Sequence, residues 1–89
     1  MNLIKISSTW CPSCLIMQPR YMEIEKKYNL EIEEYDYDLD EEIVKEYNVG
    51  EILPVLIIKE NDKEIKRIIG EKSKKELEKI FEELNEKNN

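Results

Sequence analysis

Trp10-Cys11-Pro12-Ser13-Cys14 holds the only tryptophan and the only two cysteines of an 89-residue chain. It lies between a short apolar run, Leu3-Ile4-Lys5-Ile6, and a stretch of helical periodicity. Pro12 suits the first helical position, where its missing N–H costs no hydrogen bond and its fixed φ already matches. Cys11 then becomes the N-cap, and Cys14 falls in the first turn. Two sulfurs three positions apart at a helix start can close a small disulfide and open it again. The unpaired N–H groups of the first turn and the positive end of the helix dipole favour a thiolate at the outer sulfur. Thiolate is the form that attacks disulfides, so the stretch reads as a redox centre. Cys11 is expected to be exposed and electropositive, and Cys14 more deeply covered and less reactive.

The remaining elements follow from pattern. Leu3 to Ile6 reads as a strand feeding the Ser7-Ser8-Thr9 loop. Met17, Tyr21, Ile24 and Tyr28 recur at spacings of four, three and four, one face of a helix that Pro19 is expected to kink rather than stop. Asn29 ends it. Leu30, Ile32, Tyr35 and Tyr37 predict a second strand, and Asp38 or Asp40 can cap a short helix bearing Ile43, Val44 and Tyr47. Val55-Leu56-Ile57-Ile58 is a strand covered on both faces, and Asn61-Asp62 turns it into an antiparallel partner over Ile65 to Ile69. Ser73 and Glu76 have capping-box spacing ahead of the stripe Leu77, Ile80, Phe81 and Leu84. The polar tail from Glu86 is expected to fray. The order is βαβαββα, an α/β fold of one domain over residues 1–89. Alternation of helices with the first three strands predicts parallel crossovers, and the final hairpin makes the four-stranded sheet mixed, with helices on both faces.

Composition narrows the function. Asp and Glu number 21 against 14 Lys and Arg, a formal charge of -7. That balance disfavours nucleic acid and anionic membrane surfaces, and the acidic faces would select basic partners over acidic ones. The longest apolar run, Ile52 to Ile58, is far short of a membrane span. The first residues lack the pattern of a secretory signal, so a cytoplasmic location is expected. There, a lone Cys pair is catalytic or metal-binding more often than a structural staple. No cofactor or resident metal is expected. With no His and no further Cys, one copy cannot complete a zinc site, although a dimer could share a metal or a [2Fe–2S] cluster.

Several features together resemble the thioredoxin superfamily over nearly the whole chain. Trp10-Cys11-Pro12-Ser13-Cys14 is similar to its Trp-Cys-x-x-Cys site, and Pro19 stands where its active-site helix carries a proline. Tyr35-Asp36-Tyr37-Asp38 resembles the strand before its second helix. Leu53-Pro54-Val55 resembles its cis-proline loop, and Gly70 its glycine before the last helix. The resemblance implies a minimal thioredoxin fold and a thiol–disulfide oxidoreductase that reduces protein disulfides as a monomer. Cys11 would attack and Cys14 resolve, with Pro12 and Ser13 supporting them. Trp10, Leu53 and Pro54 would meet the substrate, Leu53 through its backbone. Electrons would come from a thioredoxin-reductase-like flavoprotein, or less readily from glutathione, because the Gly-Gly and Asp of glutathione-dependent glutaredoxins are replaced by Gly70-Glu71-Lys72-Ser73. Lys5 occupies the position of the family's buried Asp. It reads either as a side chain snorkelling to the end of the sheet or as a proton relay for Cys14. The rival from another class is a binding module of the same fold, holding a partner or a bridging cluster without turnover.

Overall fold

The computed structural model describes residues 1–87. Its elements run β1 (Asn2–Ser7), α1 (Pro12–Tyr28), β2 (Ile32–Asp36), α2 (Glu41–Glu46), β3 (Val55–Glu60), β4 (Lys63–Ile69) and α3 (Lys74–Lys87), the expected order. The tail expected to fray from Glu86 is helical through Lys87, and Asn88 and Asn89 lie outside the described residues. Pro19 lies inside α1 and does not end it. Asn29 closes that helix in the left-handed region at φ 53°, with Lys26 and Lys27 in the last turn, where the dipole favours cations.

The sheet has the order β2-β1-β3-β4. β1 and β2 are parallel, as a crossover through α1 requires, but β3 runs antiparallel to β1, not parallel as the alternation predicts. Length explains this. The six residues of α2 rise about 9 Å, roughly half the length of a five-residue strand, so the chain re-enters the sheet from the end at which it left β2. Val55 therefore pairs with Ile6, and the Leu53-Pro54 loop lands beside the end of β1 that leads to the cysteines. The β3–β4 hairpin turns at Asn61-Asp62, both with positive φ, as a two-residue turn demands.

Strand parity divides the core in two. Leu3, Leu56, Ile58 and Ile68 pack with Met17, Tyr21, Leu77 and Phe81 under α1 and α3. Ile4, Ile6, Val55 and Ile57 face the other way, against Ile43 and Val44 of α2 and the Tyr47 that caps it. All four residues Val55 to Ile58 are buried, as a strand covered on both faces must be. β2 serves both faces: Ile32 belongs to the first cluster and Tyr35 to the second. Its two apolar residues thus serve opposite faces, and Glu34, of Ile32's parity, is turned toward the α1 side.

The caps show which local signals held. Ser73 Oγ accepts the Glu76 N–H at 3.1 Å and Glu76 Oε1 accepts the Ser73 N–H at 3.2 Å, a closed capping box. Asp40 occupies the N-cap of α2 but makes no side-chain cap bond. Its Oδ2 instead accepts the Asp36 N–H at 2.7 Å, while Asp36 Oδ1 accepts from the backbone of Asp38 and Leu39. The carboxylates close the β2–α2 turn rather than the helix.

Candidate active site

Cys11 is the N-cap of α1, in an extended conformation, with Pro12 directly after it. Its Sγ accepts the Cys14 N–H at 3.2 Å, satisfying one of the free donors of the helix start. Its thiol lies 3.7 Å from the Leu53 carbonyl and donates to it. The peptide bond that follows, Leu53-Pro54, is cis. Both cysteines are free thiols. Cys11 was expected to be exposed and Cys14 covered, but their exposures are 6% and 8%. The correction has a local cause: the N-cap sulfur folds inward onto Cys14 N–H and the cis-proline loop instead of projecting into solvent.

What separates the thiols is their surroundings. Burial pushes the Cys14 thiol from its ordinary 9.0 up to about 11, reinforced by a hydrogen bond with the Cys11 side chain and by Cys11's charge. A backbone hydrogen bond from Ser8 and the charge of Lys5 oppose the rise. Cys14 is thus a protonated reserve at neutral pH, consistent with a thiol that waits.

Trp10 stands beside Cys11 and is 58% exposed, so it is not a core aromatic. Its Nε1–H donates to Asp38 Oδ2 at 2.6 Å, and its ring meets Tyr37 edge-on at 6.2 Å. An exposed indole pinned on two sides offers a rigid apolar surface at the site's rim. Ser13 Oγ donates to Glu71 Oε2 at 3.1 Å, tying the turn between the cysteines to the segment before α3. The Gly70 N–H donates to the Pro54 carbonyl at 2.9 Å. Gly70 has φ +78°, and a Cβ there would lie 3.3 Å from Ile52 Cγ2, so the tie suits glycine.

Lys5 does not snorkel to the end of the sheet. It is 5% exposed, its Nζ lies 2.6 Å from Glu34 Oε1, and it sits 5.5 Å from the centre of the Tyr21 ring. Lys5 and Cys14 line one cleft together. The structure therefore brings Cys11 and Cys14 together with the Leu53-Pro54 loop, leaves Trp10 exposed next to Cys11, and sets Lys5 in a cleft shared with Cys14. Asp38, Glu71, Ser8 and Glu34 escaped the sequence reading. Asp38 is offered by the sequence only as one of two candidate caps for α2, and nothing local marks Glu71, Ser8 or Glu34 as partners of the site. Among the described residues, no group of three or more His, Cys, Asp or Glu side chains is placed to hold a metal ion, and no helix is long and apolar enough to cross a membrane.

A β2-β1-β3-β4 sheet with a Cys-x-x-Cys helix start facing a cis-proline loop is the thioredoxin fold, and the comparisons with known proteins agree. The thioredoxin family model matches residues 1–83. Thioredoxin H2 of Arabidopsis thaliana is 34% identical over 84 residues, covering 92% of this chain and 61% of the relative. The bifunctional thioredoxin reductase/thioredoxin of Mycobacterium leprae is 32% identical over 77 residues, covering 84% of this chain and 17% of the relative. Thioredoxin 1 from the thermophilic eubacterium Thermosipho africanus superimposes with a TM-score of 0.82 at 26% identity, with 100% of both chains covered. The chain belongs to the thioredoxin family. It spans less than two thirds of the length of the Arabidopsis and Mycobacterium leprae relatives.

Proposed function

We propose that this chain is a thiol–disulfide oxidoreductase that reduces protein disulfides, acting as a monomer in the cytoplasm. The observation that carries the reading is Cys11 at the N-cap of α1, with its Sγ 3.2 Å from Cys14 N and 3.7 Å from the carbonyl of the cis Leu53-Pro54 pair. Cys11 attacks one sulfur of the partner's disulfide, whose S–S bond breaks as the leaving sulfur takes up a proton. Cys14 then loses its proton and attacks Cys11 Sγ. The Cys11–Cys14 bond closes and the partner's second sulfur departs, so two electrons pass to the partner. Trp10 and the Leu53 backbone receive the segment that carries the disulfide, and Pro12 and Ser13 hold the turn between the cysteines.

A thioredoxin-reductase-like flavoprotein restores the dithiol. The bifunctional name of the Mycobacterium leprae relative supports such a donor. Glutathione is the poorer donor on this reading, because the Glu71 carboxylate, bonded to Ser13, would repel its carboxylates. Insulin reduction by the recombinant chain tests the proposal. Cys11→Ser abolishes turnover, whereas Cys14→Ser accumulates a mixed disulfide visible on a non-reducing gel. Full activity in Cys11→Ser would overturn it. A coloured or zinc-loaded dimer without turnover would favour the binding module instead.

A further inference from the structure

Beside Cys14 lies a cleft of about 190 Å³ whose lining includes neither Trp10 nor Pro54. Lys5, Ser8, Cys14, Gln18, Glu34 and Asp36 are among its lining residues. Lys5 and Glu34 are paired positions of the parallel β1–β2 ladder, so both side chains stand on the α1 side of the sheet. The Lys5 ammonium is buried and bound at 2.6 Å to the Glu34 carboxylate, whose side chain is 60% exposed. Ser8 is 7% exposed, and its hydroxyl has no hydrogen-bond partner.

We propose that this cleft is the proton exit of the resolving step, in which the Lys5 ammonium, held under Cys14 by Glu34, stabilises the Cys14 thiolate as its proton leaves to water. The inference deepens the oxidoreductase reading and rests on the resolving role of Cys14. Lys5 acts here by its charge, not as a base. Glu34 is a positioning residue: alone, its negative charge would oppose a thiolate, so its contribution is to fix the ammonium. The idle Ser8 hydroxyl supplies one more donor toward a new anion or the water that carries the proton.

The other groups facing Cys14 do not replace this cation. Cys11 is bonded to the partner during resolution. Asp36 bears a carboxyl group, not a cation, and two backbone N–H groups already engage its Oδ1. Tyr21 of α1 is held neutral by burial, which pushes its phenol far above the usual range. From β3, the register partner of Lys5 is the apolar Leu56. Lys5 is thus the one cation lining the cleft among the described residues.

An aromatic disulfide that releases a chromophoric thiolate separates the two chemical steps in a stopped-flow trace. Attack by Cys11 releases one equivalent in a phase that depends on reagent concentration. Attack by Cys14 releases the second in a phase that does not. Lys5→Met is expected to move the pH profile of the second phase upward by about one unit, the lower end of the effect of a close opposite charge, and to slow that phase at neutral pH by roughly threefold once the greater nucleophilicity of the more basic thiolate is counted. Its first phase stays at the wild-type rate, whereas a structural defect would slow both. Lys5→Arg restores the second phase.

Glu34→Gln, at an exposed side chain on the sheet edge, guards against misfolding of the Lys5 variants. Loss of positioning slows its second phase, whereas simple removal of a negative charge would speed it. A wild-type pH profile in Lys5→Met, or a faster second phase in Glu34→Gln, would overturn the proposal. Absence of a mixed disulfide in Cys14→Ser would instead sink the oxidoreductase reading beneath it.

Discussion

Cys14 in the free, reduced chain makes a quantitative prediction that needs no substrate. The perturbation is pH, and the probe is a limiting amount of iodoacetamide, with each cysteine peptide quantified by mass spectrometry. A thiol at about 11 carries roughly one hundredth of the thiolate that a thiol at 9.0 carries at neutral pH. Its thiolate is the better nucleophile, and a Brønsted coefficient of about 0.4–0.5 over that interval returns somewhat under tenfold. Cys14 should therefore react roughly tenfold more slowly than the same residue in the urea-unfolded chain, before its low exposure slows it further. The sign of the pH dependence follows from the same shift. The folded thiol keeps its proton longer, so the logarithm of its rate climbs with unit slope past pH 9.0, where the unfolded thiol levels off. By linkage, the native state holds that proton more tightly, so this contribution to stability is whole below pH 9.0 and is lost as the pH rises through about 11. A plateau near pH 9 in the folded chain, or equal folded and unfolded rates at neutral pH, would refute the account of Cys14 as a desolvated reserve.

Two further predictions concern the frame that holds the site. Phe81 is 1% exposed and stacked on Tyr28 at 5.9 Å, so Phe81→Ala should cost roughly 3–5 kcal/mol and lower Tm by at least ~12 °C in calorimetry. A fall of only a few degrees would mean that α3 is not packed as described. Ser73→Ala removes the hydroxyl that caps α3 and should cost ~1 kcal/mol. Hydrogen bonding from Ser73 lowers the Glu76 carboxyl below its ordinary 4.5, so the stability linked to that shift is present above pH 4.5 and lost on further acidification. The difference in denaturation midpoint between wild type and Ser73→Ala should narrow as the pH falls below 4.5, and a difference that does not change with pH would argue against the capping box.

Features carried by short stretches were legible in the chain. Pro12 after Cys11, Asn61-Asp62 between two strands, and Ser73 three residues before Glu76 each fix a local geometry that few other residues allow. The cis-proline loop was read from resemblance together with its place before a wholly apolar strand. What stayed hidden depends on contacts across the fold. Trp10 meets Asp38 across 28 positions, Cys11 meets Leu53 across 42, and Ser13 meets Glu71 across 58. Cys11 was expected in solvent because helix-start reasoning sees only the helix and not the loop that closes over it. The direction of β3 depended on whether α2 was long enough to return along the sheet. Glu34 carries no local sign of its role, because an edge strand that spends Ile32 on one face and Tyr35 on the other leaves no apolar alternation to place it.

The separation of two surfaces at the start of α1 also bears on the chemistry. Trp10, Leu53 and Pro54, the proposed docking residues, are absent from the lining of the cleft beside Cys14. In the proposed reaction the partner presses against Cys11, which drives water from that side and makes any proton there hard to remove. If Cys14 had to release its proton toward the partner, closer docking would slow the second step while helping the first. A cleft lined by Lys5, Glu34 and Asp36, and by none of Trp10, Leu53 and Pro54, gives that proton a route that does not run through the proposed docking residues. The parity of β1 makes this possible. Ile4 and Ile6 turn to the α2 side and Lys5 to the α1 side, so one strand carries apolar support on one face and the cation beneath Cys14 on the other.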